Sequence, residues 1–288
     1  MIEPTLTSDA AALKEARVQT SSPFSREVLF TYRLPEKAKD RSPAKVLVLV
    51  PGFNGSGRAW LEGDNDWTRF ADQEGLVLVG PTFQTTMEEV HAHKGYYYPA
   101  LWSGRATIEA VEEIGRREHV PTAQFLLFGF SAGAHFTHGF ALWKPERVLA
   151  FVAYSAAWWE KPTAAARGVP GLIMCGEGDE RLEASRTFLQ EALQLKLPWM
   201  WRSYAGLGHE VQPQPVRMAQ AFLGYYARAL PLPVNATAGI PKAAYYGDMQ
   251  QYEFFAADSD EAKRIPEELR IPIPSREVAE IWKEETPH

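Results

Sequence analysis

Short apolar runs separated by stretches of helical periodicity constrain the fold of this chain more than any other feature. The run KVLVLV at Lys45–Val50 is continuously apolar, as expected of a strand buried on both faces of a parallel sheet. A more alternating run at residues 27–33 ends before Pro35 and predicts an edge strand. Comparable buried runs lie at residues 76–79, 124–130, 148–154, 171–175 and 199–204. This pattern predicts an α/β fold with a mostly parallel central sheet flanked by helices.

Helical periodicity fills the gaps between these strands and sets the predicted domain limits. Apolar residues at helical spacing predict helices at residues 60–74, 104–118, 132–143, 181–195 and 216–230. We predict an N-terminal extension at residues 1–22 and a catalytic domain at residues 23–230. The C-terminal extension at residues 231–288 is charged and proline-rich, with one helix-like stretch near residues 276–284. It is expected to pack on the catalytic domain, because so short a segment buries too little to fold alone. No large lid domain is expected, since residues 160–169 are too few for one.

The composition narrows the class of protein. A net charge of −6 and a pI near 5.7 argue against nucleic-acid binding, which requires a basic surface. A single cysteine, Cys175, excludes an intrachain disulfide and a thiolate metal cluster. No run of apolar residues is long enough for a membrane span. The first residues lack the apolar core of a signal peptide, and this absence favours a cytoplasmic location. A signal peptide that had already been removed would leave a secreted or periplasmic location open.

The pentapeptide Gly129-Phe130-Ser131-Ala132-Gly133 matches the pattern G-x-S-x-G and directly follows the apolar run QFLLF. A serine at a sharp strand-to-helix turn is exposed as a nucleophile, and the flanking glycines let the strand and the helix pass closely. The predicted helix at residues 132–143 supplies the second half of that context. We therefore predict that Ser131 is a nucleophile.

A nucleophilic serine needs a base and an acid that orients the base. His209 lies in a glycine-flanked loop after the last predicted strand, at the carboxyl edge of the sheet, where open α/β sheets place their sites. Asp179 follows the strand GLIMC by one tight turn, which gives the chain order Ser, Asp, His. We predict His209 as the base and Asp179 as the acid. Nearby carboxylates remain alternatives for the acid, namely Glu177, Glu180 and Glu183.

The negative charge of a tetrahedral intermediate requires backbone N–H donors. Ala132, directly after the predicted nucleophile, is one expected donor. The second should come from the glycine-rich loop PGFNGSG after Lys45–Val50, with Phe53 as our choice and Asn54 as the runner-up. This loop is not a phosphate-binding P-loop, because no Lys-Ser or Lys-Thr pair follows it.

Aromatic residues are frequent at segments expected near the carboxyl edge of the sheet. Trp158 and Trp159 follow the strand that ends at Tyr154, and a Tyr-Tyr-Tyr run precedes Trp102. We predict that Tyr98, Trp102, Trp158 and Trp159 line the substrate cleft, which would suit an aromatic or bulky acyl group. Trp199 and Trp201 alternate within a strand and are assigned to the core.

Taken together, the loop PGFNGSG, the elbow GFSAG, the acid in GEGD and the base in GLGH resemble the α/β-hydrolase fold superfamily over about residues 27–230. Within it, the chain resembles the polyhydroxybutyrate depolymerase and feruloyl esterase-like branch. The W-x-x-x-A-x-x-x-G pattern of that branch corresponds to Trp67, Ala71 and Gly75. The chain departs from the branch by Pro51-Gly52 in place of His-Gly at the start of the oxyanion loop.

The resemblance and the three side chains together predict a serine esterase. Ser131 would form an acyl-enzyme with a small-molecule carboxylic ester, possible substrates being aromatic, feruloyl-like or polyester-type, with no metal and no organic cofactor. Two alternatives remain open: a serine peptidase or amidase that uses the same three residues, and a catalytically inactive scaffold. The sequence does not fix the oligomeric state.

Overall fold

An eight-stranded sheet runs through the part of the chain that the computed structural model describes, residues 12–20, 26–36, 45–230 and 239–284. The strand order is β1-β2-β4-β3-β5-β6-β7-β8. The strands from β3 to β8 pair in parallel, whereas β2 is antiparallel to both of its neighbours. Their bounds are Lys14–Thr20 (β1), Arg26–Arg33 (β2), Lys45–Val50 (β3), Leu76–Thr82 (β4), Phe125–Phe130 (β5), Val148–Tyr154 (β6), Gly171–Gly176 (β7) and Trp199–Tyr204 (β8). The sheet is therefore mostly parallel, as the sequence predicted.

The strand at the N-terminal edge of the sheet differs from the expectation. Strand β1, Lys14–Thr20, pairs along its whole length with β2, so β2 is an inner strand and the prediction of an edge strand at residues 27–33 was wrong. The burial of β1 alternates, with Ala16 and Val18 facing the core. Its charged alternate residues hid that pattern, because they resemble a solvated extension. The domain boundary at residue 22 stays a prediction, and β1 pairs across it.

Several helices, each lying between two strands along the chain, pack against the sheet. Helix α3 contacts β1, α4 contacts β5 and β6, and α5 contacts β7 and β8. The bounds of the helices are Asp66–Glu74 (α1), Met87–His91 (α2), Ser103–Glu118 (α3), Ala132–Trp143 (α4), Leu182–Gln194 (α5), Pro213–Ala229 (α6), Asp260–Arg264 (α7) and Arg276–Lys283 (α8). Three short 3₁₀ turns lie at Arg58–Trp60, Pro145–Arg147 and Ala164–Gly168.

Helix α1 begins later than the predicted range of residues 60–74. The Asn65 side chain accepts the backbone N–H groups of Trp67 and Thr68, and the Thr68 hydroxyl accepts the N–H of Asn65 in return. This capping box satisfies N–H groups that a helix start leaves unpaired, so it fixes the first turn at Asp66. Gly75 ends the helix at φ 69°, a left-handed conformation that glycine adopts without a side-chain clash.

The segment between β6 and β7 carries no inserted domain. All of residues 155–170 are described, and the only regular structure there is the short turn at Ala164–Gly168. The expectation that no large lid covers the carboxyl edge of the sheet is confirmed for this connection.

A second, three-stranded antiparallel sheet lies in the C-terminal segment, in the order β10-β9-β11. Its strands are Tyr245–Asp248 (β9), Glu253–Ala256 (β10) and Arg270–Ile273 (β11). Helix α8 confirms the predicted helix-like stretch and buries Val278, Ala279 and Trp282. The strands were missed, since each has four residues with Pro272 in one of them and gives too short a pattern to recognise. Residues 231–238 lie outside the described part, and the boundary at residue 230 stays a prediction.

Candidate active site

Ser131 lies at the junction of β5 and α4, in a backbone conformation that few residues adopt. Its φ is 57° and its ψ is −120°. The close passage of strand and helix requires both flanking glycines: a Cβ on Gly129 would overlap the carbonyl of Gly133, and a Cβ on Gly133 would overlap the carbonyl of Val50. The backbone N–H of Ser131 donates to Tyr154 O at 2.9 Å. These contacts hold the strained turn in place, because the surrounding backbone permits no other path.

Ser131, His209 and Asp179 form one chain of hydrogen bonds at the carboxyl edge of the sheet. Ser131 Oγ lies 3.0 Å from His209 Nε2, and His209 Nδ1 lies 2.7 Å from Asp179 Oδ2. The Asp179 side chain is fully buried, whereas 32% of the His209 side chain is exposed. The structure thus brings together the three side chains that the sequence singled out, and their catalytic role stays a prediction.

Several hydrogen bonds stabilise the ionised form of Asp179. Burial alone would raise the pKa of this carboxyl, but the hydrogen bonds from His209 and Arg181 outweigh burial and hold the pKa below its usual value. The Arg181 backbone N–H and guanidinium donate to Asp179 Oδ1 at 3.1 and 2.9 Å, which leaves Oδ2 for the imidazole. The imidazole therefore faces a carboxylate at neutral pH.

The alternative carboxylates make other contacts. Glu177 accepts a hydrogen bond from the Ser203 hydroxyl at 2.8 Å. Glu180 pairs with Arg181, and Glu183 pairs with Arg186 on the surface of α5. None of these three carboxylates contacts His209 in the described structure, so the geometry favours Asp179 as the orienting acid.

Residues that the sequence did not single out support the imidazole. The Phe130 ring stacks on His209 with centroids 4.7 Å apart, and the Tyr154 hydroxyl donates to Glu210 O at 2.7 Å. A Cβ on Gly176 would overlap the carbonyls of Leu207 and Gly208. The turn at residues 176–179, which carries Asp179 and which we call the acid turn, therefore touches the backbone of the loop at residues 205–209, which carries His209 and which we call the base loop. Phe130 occupies the second position of the pentapeptide, which the pattern G-x-S-x-G leaves open, and Tyr154 is the last residue of a buried strand. Neither residue could therefore be recognised from the sequence as part of the site.

The glycine-rich loop after β3 lies beside the serine. A Cβ on Gly52 would stand 3.5 Å from Ser131 Cβ, so the peptide of Phe53 begins next to Ser131. Asn54 has φ 53°, and its side chain donates to Thr85 O at 2.9 Å and accepts the Thr85 N–H at 2.7 Å. Ala132 occupies the first turn of α4, whose N–H groups lack partners within the helix. The Asn54 side chain thus anchors the loop, and the backbone N–H groups remain the candidate anion donors.

A continuous group of rings extends from this loop, which we call the aromatic wall: Phe53, Tyr97, Tyr98, His135 and Trp158. Trp158 lies 5.4 Å from Tyr98 and 4.7 Å from His135, and Phe53 lies 6.5 Å from Tyr97, between ring centroids. His135 also connects the wall to the elbow, because its backbone N–H donates to Ser131 O at 3.1 Å. Phe53 and Trp158 remain 47% and 40% exposed. Tyr98 and Trp158 therefore contact each other, and their role in binding substrate stays a prediction.

His135 is the unusual member of the aromatic wall. Its Nε2 is buried without a hydrogen-bond partner and lies 3.8 Å from Glu160 Oε1. Burial lowers the pKa of His135 more than this carboxylate raises it, so the ring is neutral at pH 7 and packs as an aromatic ring. Neither His135 nor Tyr97 is among the cleft residues that the sequence predicts.

The other two predicted cleft residues point elsewhere. Trp102 is 3% exposed, its indole N–H donates to Lys94 O at 3.1 Å, and its ring meets Phe83 edge-on. Trp159 stacks on Phe188 at 4.3 Å. The structure therefore places both side chains in packed positions away from the aromatic wall. A tryptophan after a strand end can turn either into the cleft or into the core, and local sequence does not fix which.

Comparison with solved structures identifies the fold. The chain has the α/β-hydrolase fold. An S-formylglutathione hydrolase from Agrobacterium tumefaciens matches it with a TM-score of 0.61 at 18% identity, covering 78% of this chain and 98% of that chain. A ferulic acid esterase matches with a TM-score of 0.59 at 17% identity, covering 76% and 98%. The poly(3-hydroxybutyrate) depolymerase LpqC from Bordetella parapertussis matches with a TM-score of 0.57 at 20% identity, covering 76% and 88%.

These structural matches confirm the α/β-hydrolase fold. Because none of the three is more than 20% identical to this chain, the resemblance to the depolymerase and feruloyl esterase-like branch stays a prediction. No family model matches the chain, and no curated protein matches it in sequence. Within the described ranges, the chain contains no helix both long and apolar enough to cross a membrane. The same ranges hold no group of three or more His, Cys, Asp or Glu side chains placed to bind a metal ion.

Proposed function

We propose that this α/β-hydrolase cleaves carboxylic esters through an acyl-enzyme on Ser131. The observation that carries the proposal is the unbroken hydrogen-bond chain from Ser131 Oγ through His209 to Asp179, at 3.0 and 2.7 Å. A serine hydroxyl is a weak nucleophile until an adjacent base removes its proton. The strained turn supports the same role, since it exposes Oγ at the edge of the sheet.

Each side chain has one task in the proposed reaction. Asp179 accepts the Nδ1–H of His209, which leaves Nε2 free to accept the proton of Ser131 as Oγ attacks the ester carbonyl. The imidazolium then gives that proton to the departing alcohol, and a water molecule repeats both steps to release the acid. The low pKa of Asp179 keeps a negative charge beside the imidazolium at neutral pH.

The negative charge on the carbonyl oxygen would be stabilised by backbone N–H groups. Ala132 and Phe53 are the proposed donors, with Asn54 as the alternative to Phe53. The proximity of Gly52 to Ser131 and the two hydrogen bonds between Asn54 and Thr85 support a preformed loop. Such a donor is worth about 10²–10³-fold in kcat in related chemistry.

The aromatic wall suggests which esters fit. Its exposed members, Phe53 and Trp158, offer apolar ring surface, and Phe53 directly follows Gly52, which lies beside Ser131. An aromatic ring on the substrate would gain about 0.5–1.5 kcal/mol from each edge-on or offset contact beyond the burial of its area. We therefore propose esters with an aromatic or bulky apolar acyl group, a class consistent with the ferulic acid esterases among the structural neighbours.

A substrate panel tests the proposal. Purified protein is assayed with p-nitrophenyl acetate, methyl ferulate and an aminoacyl anilide, and Ser131→Ala is assayed beside it. We expect hydrolysis of both esters, little hydrolysis of the anilide, and a loss in kcat/KM of at least roughly 10⁴-fold in the variant. Faster hydrolysis of the anilide would favour a peptidase or amidase. No hydrolysis of any substrate by the wild type would favour an inactive scaffold.

A further inference from the structure

The outer edge of β8 is covered by side chains of the C-terminal segment. Strand β8 ends the sheet, so its outer backbone groups have no strand to pair with. The Trp282 indole N–H donates to Trp201 O at 2.6 Å, and the Tyr252 hydroxyl accepts the Ser203 N–H at 3.0 Å. The covered residues of β8 and the Trp282 ring are buried. The segment therefore takes the place of a ninth strand along this part of the edge.

One of these contacts continues into the acid turn. Ser203 Oγ lies 2.7 Å from the Tyr252 hydroxyl and 2.8 Å from Glu177 Oε1. Since a carboxylate only accepts hydrogen bonds, Ser203 donates to Glu177, and Tyr252 donates to Ser203. Each hydroxyl proton in this relay has one acceptor, so the order Tyr252, Ser203, Glu177 is fixed.

Glu177 lies two residues before Asp179, in a turn where Glu177 and Gly178 are exposed. The backbone N–H of Glu177 donates to Tyr204 O at 2.9 Å, and that of Gly178 donates to Leu207 O at 2.8 Å. These bonds fix where the turn leaves β7. The relay adds a side-chain bond that limits how the turn can rotate, and rotation of the turn would move the Asp179 carboxylate relative to His209.

The same C-terminal segment also reaches the helix that follows the base loop. The carbonyl oxygen of Glu284, at the end of α8, accepts hydrogen bonds from Arg202 at 2.5 Å and from Gln214 at 3.5 Å. The Glu284 carboxylate pairs with Arg217 at 2.9 Å. Gln214 and Arg217 lie in the first turns of α6, which begins four residues after His209. Both loops of the site are thus connected to one segment.

We propose that Tyr252 is a positioning residue, which acts through Ser203 and Glu177 to hold the Asp179 carboxylate against His209. This inference rests on the proposed function. Tyr252 contacts neither the substrate nor the reacting atoms, so its effect is on the geometry and charge stabilisation of the imidazole. The C-terminal segment then has a role in the reaction as well as in covering the sheet.

The test is Tyr252→Phe, which removes the hydroxyl and keeps the ring contacts with Trp282 at 5.1 Å and with the Arg202 guanidinium at 4.1 Å. We expect kcat for p-nitrophenyl acetate to fall about 5- to 20-fold with KM unchanged, less than the roughly 100-fold that a 1 Å misplacement can cost. We also expect the acid limb of the kcat/KM profile to move to lower pH by about 0.5 unit, because the imidazolium form is less stabilised when the carboxylate is looser.

Two further variants separate positioning from folding. Tyr246→Phe removes a hydroxyl from β9 of the same small sheet, where the ring contacts Arg270, and should leave kcat and the pH profile unchanged. Glu177→Ala breaks the relay at its exposed end and should reproduce the shift of the acid limb. An unmoved acid limb in both Tyr252→Phe and Glu177→Ala would overturn the inference, whatever happens to the melting temperature.

Failure of the proposed function gives a different result. If the wild-type protein hydrolyses no ester, the proposed function fails before the variants are compared. A second outcome is that the wild type is active, Ser131→Ala is inactive, and Tyr252→Phe and Glu177→Ala have the pH profile of the wild type. In that case the proposed function stands and only the positioning role is rejected.

Discussion

The elbow at residues 129–133 and the aromatic wall lie at the same edge of the sheet but are held by different kinds of contact. In the elbow, backbone meets backbone, so that Gly129 and Gly133 leave no room for a single added carbon. In the wall, rings contact rings at centroid distances of 4.7–6.5 Å, and Phe53 and Trp158 are partly exposed. Backbone contacts permit one geometry, whereas ring contacts permit many similar ones.

This difference predicts how each region responds to change. Substitutions in the elbow or in its hydrogen-bond chain should have all-or-none effects, because the contacts there permit only one geometry. The wall should respond gradually, because a lost ring removes one contact surface among several. The chemistry of the site would then depend on the first region and its preference for substrates on the second.

Among variants that keep Ser131, the largest effect is expected for Asp179→Asn. An asparagine would present an amide N–H to His209 and hold the imidazole in the tautomer that cannot accept the Ser131 proton. We expect kcat to fall about 10³–10⁴-fold in steady-state assays. The matched control is Glu180→Gln, an exposed neighbour that should keep wild-type kcat. A loss below tenfold in Asp179→Asn would show that the hydrogen-bond chain is not used as proposed.

The variant Asp179→Asn, compared with the wild type, also tests whether the charge on Asp179 stabilises the fold. The pKa of Asp179 lies below its usual value, so its ionisation stabilises the folded chain above about pH 4, and this contribution is lost as the pH falls through the folded-state pKa. The melting temperature of the wild type should therefore drop more between pH 6 and pH 3 than that of Asp179→Asn. Equal drops in the two proteins would contradict the inferred stabilisation of the carboxylate.

A smaller effect, on stability, is expected for Gly133→Ala. The added Cβ would overlap the Val50 carbonyl, and the free energy of unfolding should fall by about 3–4 kcal/mol in chemical denaturation. Gly168→Ala is the matched control, because a Cβ there meets nothing within 4 Å, and it should stay within about 0.5 kcal/mol of the wild type. Similar stabilities for the two variants would mean that the elbow is not sterically fixed.

The smallest effect is expected for Trp158→Ala, which removes one of the two exposed rings of the wall. The ratio of kcat/KM for methyl ferulate to that for p-nitrophenyl acetate should fall roughly three- to tenfold, the value of one aromatic contact. Trp158→Phe keeps a ring and should restore most of the ratio. An unchanged ratio in the alanine variant would place the acyl group away from the aromatic wall.

The sequence predicted the parts of the molecule that backbone geometry dictates. Ser131 could be assigned because a pentapeptide with two small residues follows a buried strand, and His209 and Asp179 because each follows a strand end at the same edge of the sheet. The structure brings these three side chains together. The mostly parallel pairing could be predicted from the continuously apolar runs, whereas the order of the strands in the sheet could not.

Features that depend on side-chain orientation could not be predicted in this way. Trp102 and Trp159 turn into packed positions, whereas Trp158 faces outward beside His135, and nothing in the local sequence distinguishes these outcomes. Strand β1 was hidden by its charged alternate residues. The contact between Tyr252 and Ser203 joins residues 49 positions apart, so that no local pattern indicates it.

The most direct test of the central claim is to locate the residue that reacts with a fluorophosphonate probe. Such probes react with a serine hydroxyl only when a base activates it, so we expect mass spectrometry of the digested wild type to find the adduct on Ser131 alone. Labelling should be lost in Ser131→Ala and slowed at least roughly 10³-fold in Asp179→Asn. An adduct on another serine, or an unmodified Ser131 in a folded wild-type protein, would contradict the account.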